Sequence, residues 1–475
     1  MTRICFFLML CLPMLSTAQP ADSARLLTLQ EYFGWVTEYH PVASRARLLG
    51  IQAEAAERMA RGGFDPKLFS DWQQKSFDGK EYFTLGESGM KVPSWFGLEF
   101  KAMFQVTDGV FLNPENNLPD AGQAILGVKA SLGQGLFIDE RRAALRKAEL
   151  LGKLNEAEQQ QAVNDLLQHA AKAYWNWTVA YNQLRVFQQA LDITQQRYGG
   201  IVESFRVGDL PAVDTLETLI QLQSRQFDLN EAQVQYRNAT LYLSNFLWYE
   251  GRVPLEVTDE LRPAGETEFN TQVILPPVRQ FQELLALRHP ELRQYQVKLE
   301  QLDVDRRLAA EMLKPRLDVE YNFLADGFNF SGAEIENDNG ISQLLAQNYK
   351  WGIHFSFPIL LRKERGKLQL NKIKIMDTDF KLQQKRLELT NKVQQYYNDV
   401  VNTRQQVGLY ENMVDNYQRL LDAELRKFEI GESSIFLINS REQKLIDAQL
   451  KLAKLRGNFW KYYAGLRWAA GVLGE

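Results

Sequence analysis

The stretch FRVGDLPAVD, Phe205 to Asp214, interrupts a long tract of helix formers and decides how the chain folds. No proline occurs between Pro119 and Pro211, and none between Pro211 and Pro254. Both tracts are rich in Leu, Ala, Gln, Glu, Lys and Arg, which lose little freedom in a helix. Glu140 to Val207 therefore reads as one helix of about 65 residues, roughly 100 Å at 1.5 Å per residue. Ala212 to Trp248 reads as its return. Gly208 can adopt the positive φ that ends the first helix. Pro211 suits the first turn of the second, and Asp209 and Asp214 place acids at its positive end. Helices this long point to coiled-coil or helical-barrel packing.

The stretch FEIGESSIFL, Phe428 to Leu437, repeats the pattern, with Gly431 for the turn and Glu432 for the acid. It separates Lys363 to Ile430 from Ile435 to Ala470, and no proline follows Pro358. The repeat extends upstream. Tyr39-His40-Pro41-Val42 recurs as Arg288-His289-Pro290-Glu291, and Asp65-Pro66-Lys67-Leu68 as Lys314-Pro315-Arg316-Leu317. Both pairs lie about 249 residues apart, too far for a solenoid, which indicates a duplicated half-chain. Ser131-Leu132-Gly133 matches Ser356-Phe357-Pro358 at about 225, so the first half carries roughly 24 additional residues between those points. The expected organisation is a first repeat over 19–251, with strands within 64–134 and a helical hairpin over 140–248. A linker over 252–278 follows, where Pro254, Pro263, Pro276 and Pro277 cluster. The second repeat, 279–475, has strands within 315–358 and a hairpin over 363–470.

Four windows alternate with period 2, which puts each apolar set on one face of a strand. Phe96, Leu98, Phe100, Ala102, Phe104 and Val106 oppose Gly97, Glu99, Lys101 and Gln105. Leu126, Val128, Ala130 and Leu132 oppose Gly127, Lys129 and Ser131. In the second half Leu317, Val319, Tyr321 and Phe323 oppose Arg316, Asp318, Glu320 and Asn322. Tyr349, Trp351, Ile353, Phe355 and Phe357 oppose Lys350, Gly352, His354 and Ser356. Alternation alone is equally compatible with a sheet backed by a soluble core. Aromatic apolar sets and mixed-charge polar sets favour a membrane wall with a wet lumen. The windows of roughly 8 to 12 residues suit tilted membrane strands. Two strands per half make four per chain, whereas the smallest single-chain barrels have about eight, so several chains would share one barrel. The poorly alternating segments Leu68 to Phe77 and Tyr82 to Val92 are candidates for an additional hairpin or an external loop.

The N-terminus, MTRICFFLMLCLPMLSTA, has the charged start, apolar middle and small-residue end of a signal peptide over 1–18. The only cysteines, Cys5 and Cys11, lie within it, so the mature chain is expected to use no disulfide, thiol nucleophile or thiolate metal site. The 475 residues carry 55 Lys and Arg against 59 Asp and Glu, a net charge of -4. No basic excess marks a nucleic-acid partner.

With these elements assembled, the chain resembles the TolC-like outer-membrane efflux factors over essentially its whole mature length. The most specific matches are the aromatic-x-x-Gly tips with an acid about six residues later and the strand closures SLGQGLF, from Ser131, and SFPILLR, from Ser356. The resemblance implies a mainly α fold with a β-barrel membrane part: a homotrimer with a 12-stranded barrel joined to an α-helical barrel. It places the protein in the outer membrane, extending into the periplasm. It implies a passive duct for efflux or type I secretion, opened by a periplasmic adaptor (membrane fusion protein) and an inner-membrane pump of the RND or ABC type. The tips Phe205, Val207, Gly208, Asp209, Pro211, Phe428, Ile430, Gly431 and Glu432 would dock the adaptor. Phe96, Leu98, Phe100, Phe104, Val319, Tyr321, Phe323, Trp351 and Phe355 would face lipid. Asp214 matches a family acid that helps hold the tunnel closed, and equally suits a helix-capping role. The family's Arg and acids after the second tip fall here on Ser433, Leu437 and Ser440.

Catalytic and cofactor chemistry is not expected. His40, His169, His289 and His354 are scattered without a zinc-type spacing. His40 and His289 suit helix boundaries before a first-turn proline. No nucleophile elbow or phosphate loop occurs. A soluble periplasmic coiled-coil adaptor or scaffold is the competing class, and would need an embedded β-rich module instead of lipid-facing strands.

Overall fold

The computed structural model describes residues 25–250, 253–258, 261–264, 269, 273–327 and 348–474. The expected signal peptide, Cys5 and Cys11 lie outside these residues, as does part of the linker. The chain divides into two compact units, one comprising residues up to 40, 167–275 and 396–465, the other 41–166, 276–395 and 466 onward.

The second of these units holds a six-stranded antiparallel sheet. Its strands are β2 (Lys67–Phe77), β3 (Lys80–Pro93), β4 (Leu98–Asp108), β5 (Gln123–Ser131), β9 (Arg316–Asp326) and β10 (Tyr349–Ser356), in the order β10-β9-β5-β4-β3-β2. The first half-chain thus supplies four strands where two were expected, because the additional segment forms β2 and β3 and continues the ladder rather than looping out. Phe96 falls in the β3–β4 turn, not on a strand. Gly97 takes φ +92° and Ser94 closes the turn onto the Leu98 carbonyl, so pairing starts at Leu98. The same unit contains α2 (Pro41–Arg61) and the start of α3 (Glu140–Arg206), where Ala143, Leu150 and Leu154 pack on Val297, Val304 and Leu308 of α6 (Pro290–Glu311).

The other unit contains α1 (Leu29–Tyr39), the rest of α3, α4 (Ala212–Ser244), the second half of α7 (Arg362–Glu429) and most of α8 (Ile435–Ala469). Short pairs complete it: β1 (Arg25–Leu27) runs parallel to β8 (Leu261–Pro263), and β6 (Trp248–Tyr249) pairs with β7 (Val253–Pro254). Its core is aromatic. Trp175 stacks on Trp460 at 5.2 Å, and the buried Tyr174 stacks on Tyr32 and donates to the Leu27 carbonyl at 2.8 Å. Each hairpin has its own seam: Leu184 against Leu229 and Ala232 between α3 and α4, and Leu421 against Ile438 and Leu445 between α7 and α8. The long helices end within a residue of their expected limits, except α4. It stops at Ser244 rather than Trp248, where Asn245 caps it and Trp248 turns into β6.

Both His-Pro pairs are helix boundaries. His40 ends α1 and Pro41 opens α2; His289 ends α5 (Val278–Arg288) and caps α6, with Pro290 in its first turn. His289 is buried, its Nδ1 accepts from the Glu291 N–H at 3.3 Å, and its Nε2 has no partner. Burial pushes its pKa down to about 4, with Lys385 and Lys392 adding to the effect and Asp165 opposing it. The folded value lies below the ordinary 6.5, so the neutral ring's contribution is complete above that pH and is lost as pH falls towards 4. The loss should approach about 3 kcal/mol at about 1.4 kcal/mol per unit. Thermal unfolding followed by helical circular dichroism should show a smaller drop from pH 7 to pH 4.5 in His289→Asn, which keeps a capping acceptor. Equal drops would exclude His289 as the titrating group.

Candidate functional site

Paired residues of adjacent strands point to one side, so the register sorts the sheet into two faces. Leu98, Phe100 and Phe104 of β4 align with Ala130, Val128 and Ala124 of β5, and these with Val319, Tyr321 and Ala325 of β9. Tyr321 and Phe323 in turn align with Trp351 and Tyr349 of β10, and Leu317 with Phe355. All the strand residues expected to face lipid therefore share one face. The opposite face is charged. Side chains from all six strands, among them Asp71, Glu87, Lys101, Gln123, Glu320 and Lys350, line one common hollow, so the charged face is the concave one.

On this charged face the charges are matched. Lys101 lies 3.5 Å from Glu320, and Lys129 3.3 Å from Asp318. Asp318 also accepts from Ser131 at 2.7 Å and Arg316 at 2.8 Å. The partly exposed Lys101–Glu320 pair adds little stability, on the order of 0–1 kcal/mol, whereas Asp318 is buried and held by three partners. Their consequence is a wet, bipolar wall. The β4–β5 connection bends into it, since Thr107 donates to the Asn116 carbonyl at 2.8 Å and Glu115 to Leu118 line the same hollow.

The two helical turns are built alike. Gly208 has φ +87° and Gly431 +79°. Asp209 N–H reaches back to the Ser204 carbonyl at 2.9 Å and Glu432 N–H to Lys427 at 2.8 Å, five residues earlier in each case. This is the left-handed glycine closure of a helix C-terminus. Phe205, Val207, Gly208, Asp209, Pro211, Ile430, Gly431 and Glu432 are exposed. Phe428 turns inward onto the Leu421–Ile438–Leu445 seam, while Phe436, not singled out from sequence, is exposed. Pro211 is the residue before α4 rather than in its first turn, and α4 has no side-chain cap bond. Asp214 thus sits in the first turn of α4 without capping it.

A polar cluster near these turns was not foreseen. Arg197 of α3 makes a two-pronged ion pair with Glu442 of α8, at 2.7 and 3.3 Å, and both side chains are nearly buried. Asn439 lies 3.4 Å from Arg197 and donates to Glu217 of α4 at 3.3 Å. The cluster ties the α3–α4 hairpin to α8. In the second hairpin Ser433 donates to Glu424 at 2.6 Å, with Arg441 on its other oxygen at 3.5 Å; the Ser433 hydroxyl, then Arg441, hold this carboxyl below its ordinary range.

A sheet that is apolar outside and charged within, joined to two long α-hairpins, defines a channel-forming outer-membrane protein. Residues 113–247 and 282–472 match the family described as outer membrane efflux protein, and the chain belongs to that family. It is an outer-membrane channel for efflux or secretion, reaching into the periplasm, and not an enzyme. Channels of this family work with an adaptor and an inner-membrane pump. The alkaline protease secretion protein AprF of Pseudomonas aeruginosa is 25% identical over 350 residues, 73% of this chain and 69% of that protein. Among solved structures, the fold is similar to the open state of the Neisseria gonorrhoeae MtrE outer membrane channel, with TM-score 0.65 and 13% identity over 94% of this chain and 89% of that one. It is also similar to the Campylobacter jejuni CmeC outer membrane channel, with TM-score 0.64 and 14% identity over 94% and 87%.

Proposed function

We propose that three copies of the chain form a passive duct through the outer membrane and periplasm, powered by an inner-membrane pump and opened by a periplasmic adaptor. The observation that carries this reading is the two-faced sheet. Its convex side exposes Phe100, Trp351 and Phe355, its concave side carries the charges, and neither edge strand has an outer neighbour among the described residues. In lipid, an open edge would leave backbone groups unpaired, so the sheet must close with other copies. Four strands from each of three chains would make the twelve-stranded barrel of the sequence reading; six from each would make eighteen.

The helices support self-association. Val213, Ile220, Phe227, Val234 and Leu241 recur every seventh residue of α4, and each is 56–69% exposed. Ile373, Phe380 and Leu387 of α7 show the same spacing and are exposed. A seven-residue apolar stripe is a coiled-coil seam, and among the described residues of one chain these stripes are left exposed. The similarity to AprF favours a polypeptide cargo and hence a type I system with an ABC pump. The exposed tip residues Val207, Asp209, Pro211, Ile430 and Glu432 form the adaptor surface. The Arg197–Glu442–Asn439–Glu217 cluster holds the closed state, with Asp214 adding negative charge beside the first tip.

Replacing Gly208 or Gly431 by Val tests the docking surface. Either backbone is left-handed, so a β-branched residue adds strain of about 1–3 kcal/mol at the turn. Export should be abolished while the trimer persists. Normal export in both variants would remove these turns from the docking surface.

A further inference from the structure

We propose that β2 and β10 pair between neighbouring copies, so that all six strands of each chain stand in the membrane wall and three chains close an eighteen-stranded barrel. The inference rests on the trimeric duct reading and departs from the twelve-stranded count. The family match begins at residue 113, beyond β2, β3 and β4, so the family model itself does not define this segment.

The additional hairpin is continuous with the wall. β3 pairs with β4 from Thr84–Asp108 to Pro93–Glu99, a longer ladder than β4–β5, β5–β9 or β9–β10. Its two faces are sorted like those of the other strands. On the convex side stand Leu68, Ser70, Trp72 and Gln74 of β2 and Thr84, Gly86, Ser88, Met90 and Val92 of β3; ionisable groups reach this side only at the β2–β3 turn end, where Glu81 accepts from Gln74 at 2.7 Å and Thr84 at 2.9 Å and Asp108 lies opposite Thr84. On the concave side stand Lys67, Asp71, Lys75, Glu87 and Lys91. Away from the β2–β3 turn end, a flap with water on both sides has no reason to segregate charge in this way.

The convex polar groups also satisfy one another, as a lipid-facing surface requires. Ser70 and Ser88 share a hydrogen bond at 2.7 Å, and the Trp72 indole N–H donates to Ser70 at 3.0 Å. The Trp72 ring lies over Gly86, in the space a Cβ would need. The aromatic ring thus fills the outer surface of two strands.

Parity permits the closure. Five successive antiparallel pairings run from β2 to β10, so the two edges point in opposite directions. β10 of one copy therefore meets β2 of the next antiparallel. Charge agrees as well, since β10 brings Lys350 and β2 brings Asp71 to the same hollow-facing side. Barrel diameter grows roughly in proportion to strand number, so the pore would be about half again as wide as a twelve-stranded one.

Cysteine cross-linking tests this, because the sequence beyond residue 18 contains no cysteine. Chains carrying a single cysteine on β2 (Asp71→Cys or Gln73→Cys) are co-expressed with differently tagged chains carrying one on β10 (Lys350→Cys, Gly352→Cys or His354→Cys). Lys101→Cys and Gln105→Cys of β4 are the comparison set. Each variant is first required to give the wild-type unheated oligomer. The expected result is a disulfide-linked two-chain species for at least one β2–β10 combination and for no β4–β10 combination. Linkage of β10 to β4 would overturn the eighteen-stranded wall and leave the duct intact. Linkage in neither set would overturn it too. If wild-type protein forms no membrane-embedded oligomer, the duct reading itself fails.

Discussion

Phe227→Glu is expected to abolish the oligomer. Phe227 is 69% exposed in the single chain and occupies the middle of the α4 stripe. In the proposed assembly a neighbouring helix would cover that stripe, so the variant would bury one carboxylate per chain without a partner. An uncompensated buried charge costs about 3–5 kcal/mol, and the cost is repeated at every interface. Unheated gels of detergent extracts should show monomer only. Gln226→Glu, exposed on the same turn but off the stripe, should leave the oligomer unchanged. An unaltered oligomer in Phe227→Glu would mean that α4 does not form the seam between copies.

Glu442→Ala should weaken the helical part and leave the channel open. Arg197 is 12% exposed and Glu442 4%, so truncating the acid strands a nearly buried guanidinium. The expected destabilisation is again about 3–5 kcal/mol. In planar bilayers the purified variant should conduct without the closed intervals of the wild type. The double variant Arg197→Met, Glu442→Leu separates the two effects. Replacing a buried pair by apolar groups of similar volume is often neutral for stability, so its melting should return close to wild type. Its conductance should nevertheless remain raised, because the directional ties of Arg197 to Glu442 and Asn439 are gone. Wild-type gating in both variants would show that the cluster only holds the helices together.

The sequence showed the helices almost to the residue because their limits are chemical punctuation. Gly208 and Gly431 supply the positive φ, and the long intervals hold no proline. The strands β4, β5, β9 and β10 were legible because large apolar residues alternate with charged ones. β2 and β3 were not, for three physical reasons. Their convex face uses Ser70, Ser88 and Gly86, which carry no apolar signal. Trp72 does the work of two positions by covering Gly86. A bulge between Lys75 and Ser76 shifts the phase at the end of β2. Phe96 was placed on a strand because periodicity cannot see that Gly97 breaks it. The eleven-residue helices α1 and α5 escaped notice, although Thr28 and Glu31 form a capping box that marks the start of α1. The Arg197–Glu442 pair had no sequence signal: its partners come together only when the two hairpins pack.

The central claim is that several copies share one barrel in the outer membrane. The most direct measurement is fractionation of the mature protein, followed by gel electrophoresis of the detergent extract with and without heating. The account predicts an outer-membrane species of three chains that collapses to monomer on heating, as a closed β-barrel does when its strands are unpaired. A soluble monomer would contradict it and would reassign the aromatic face of the sheet to a buried core.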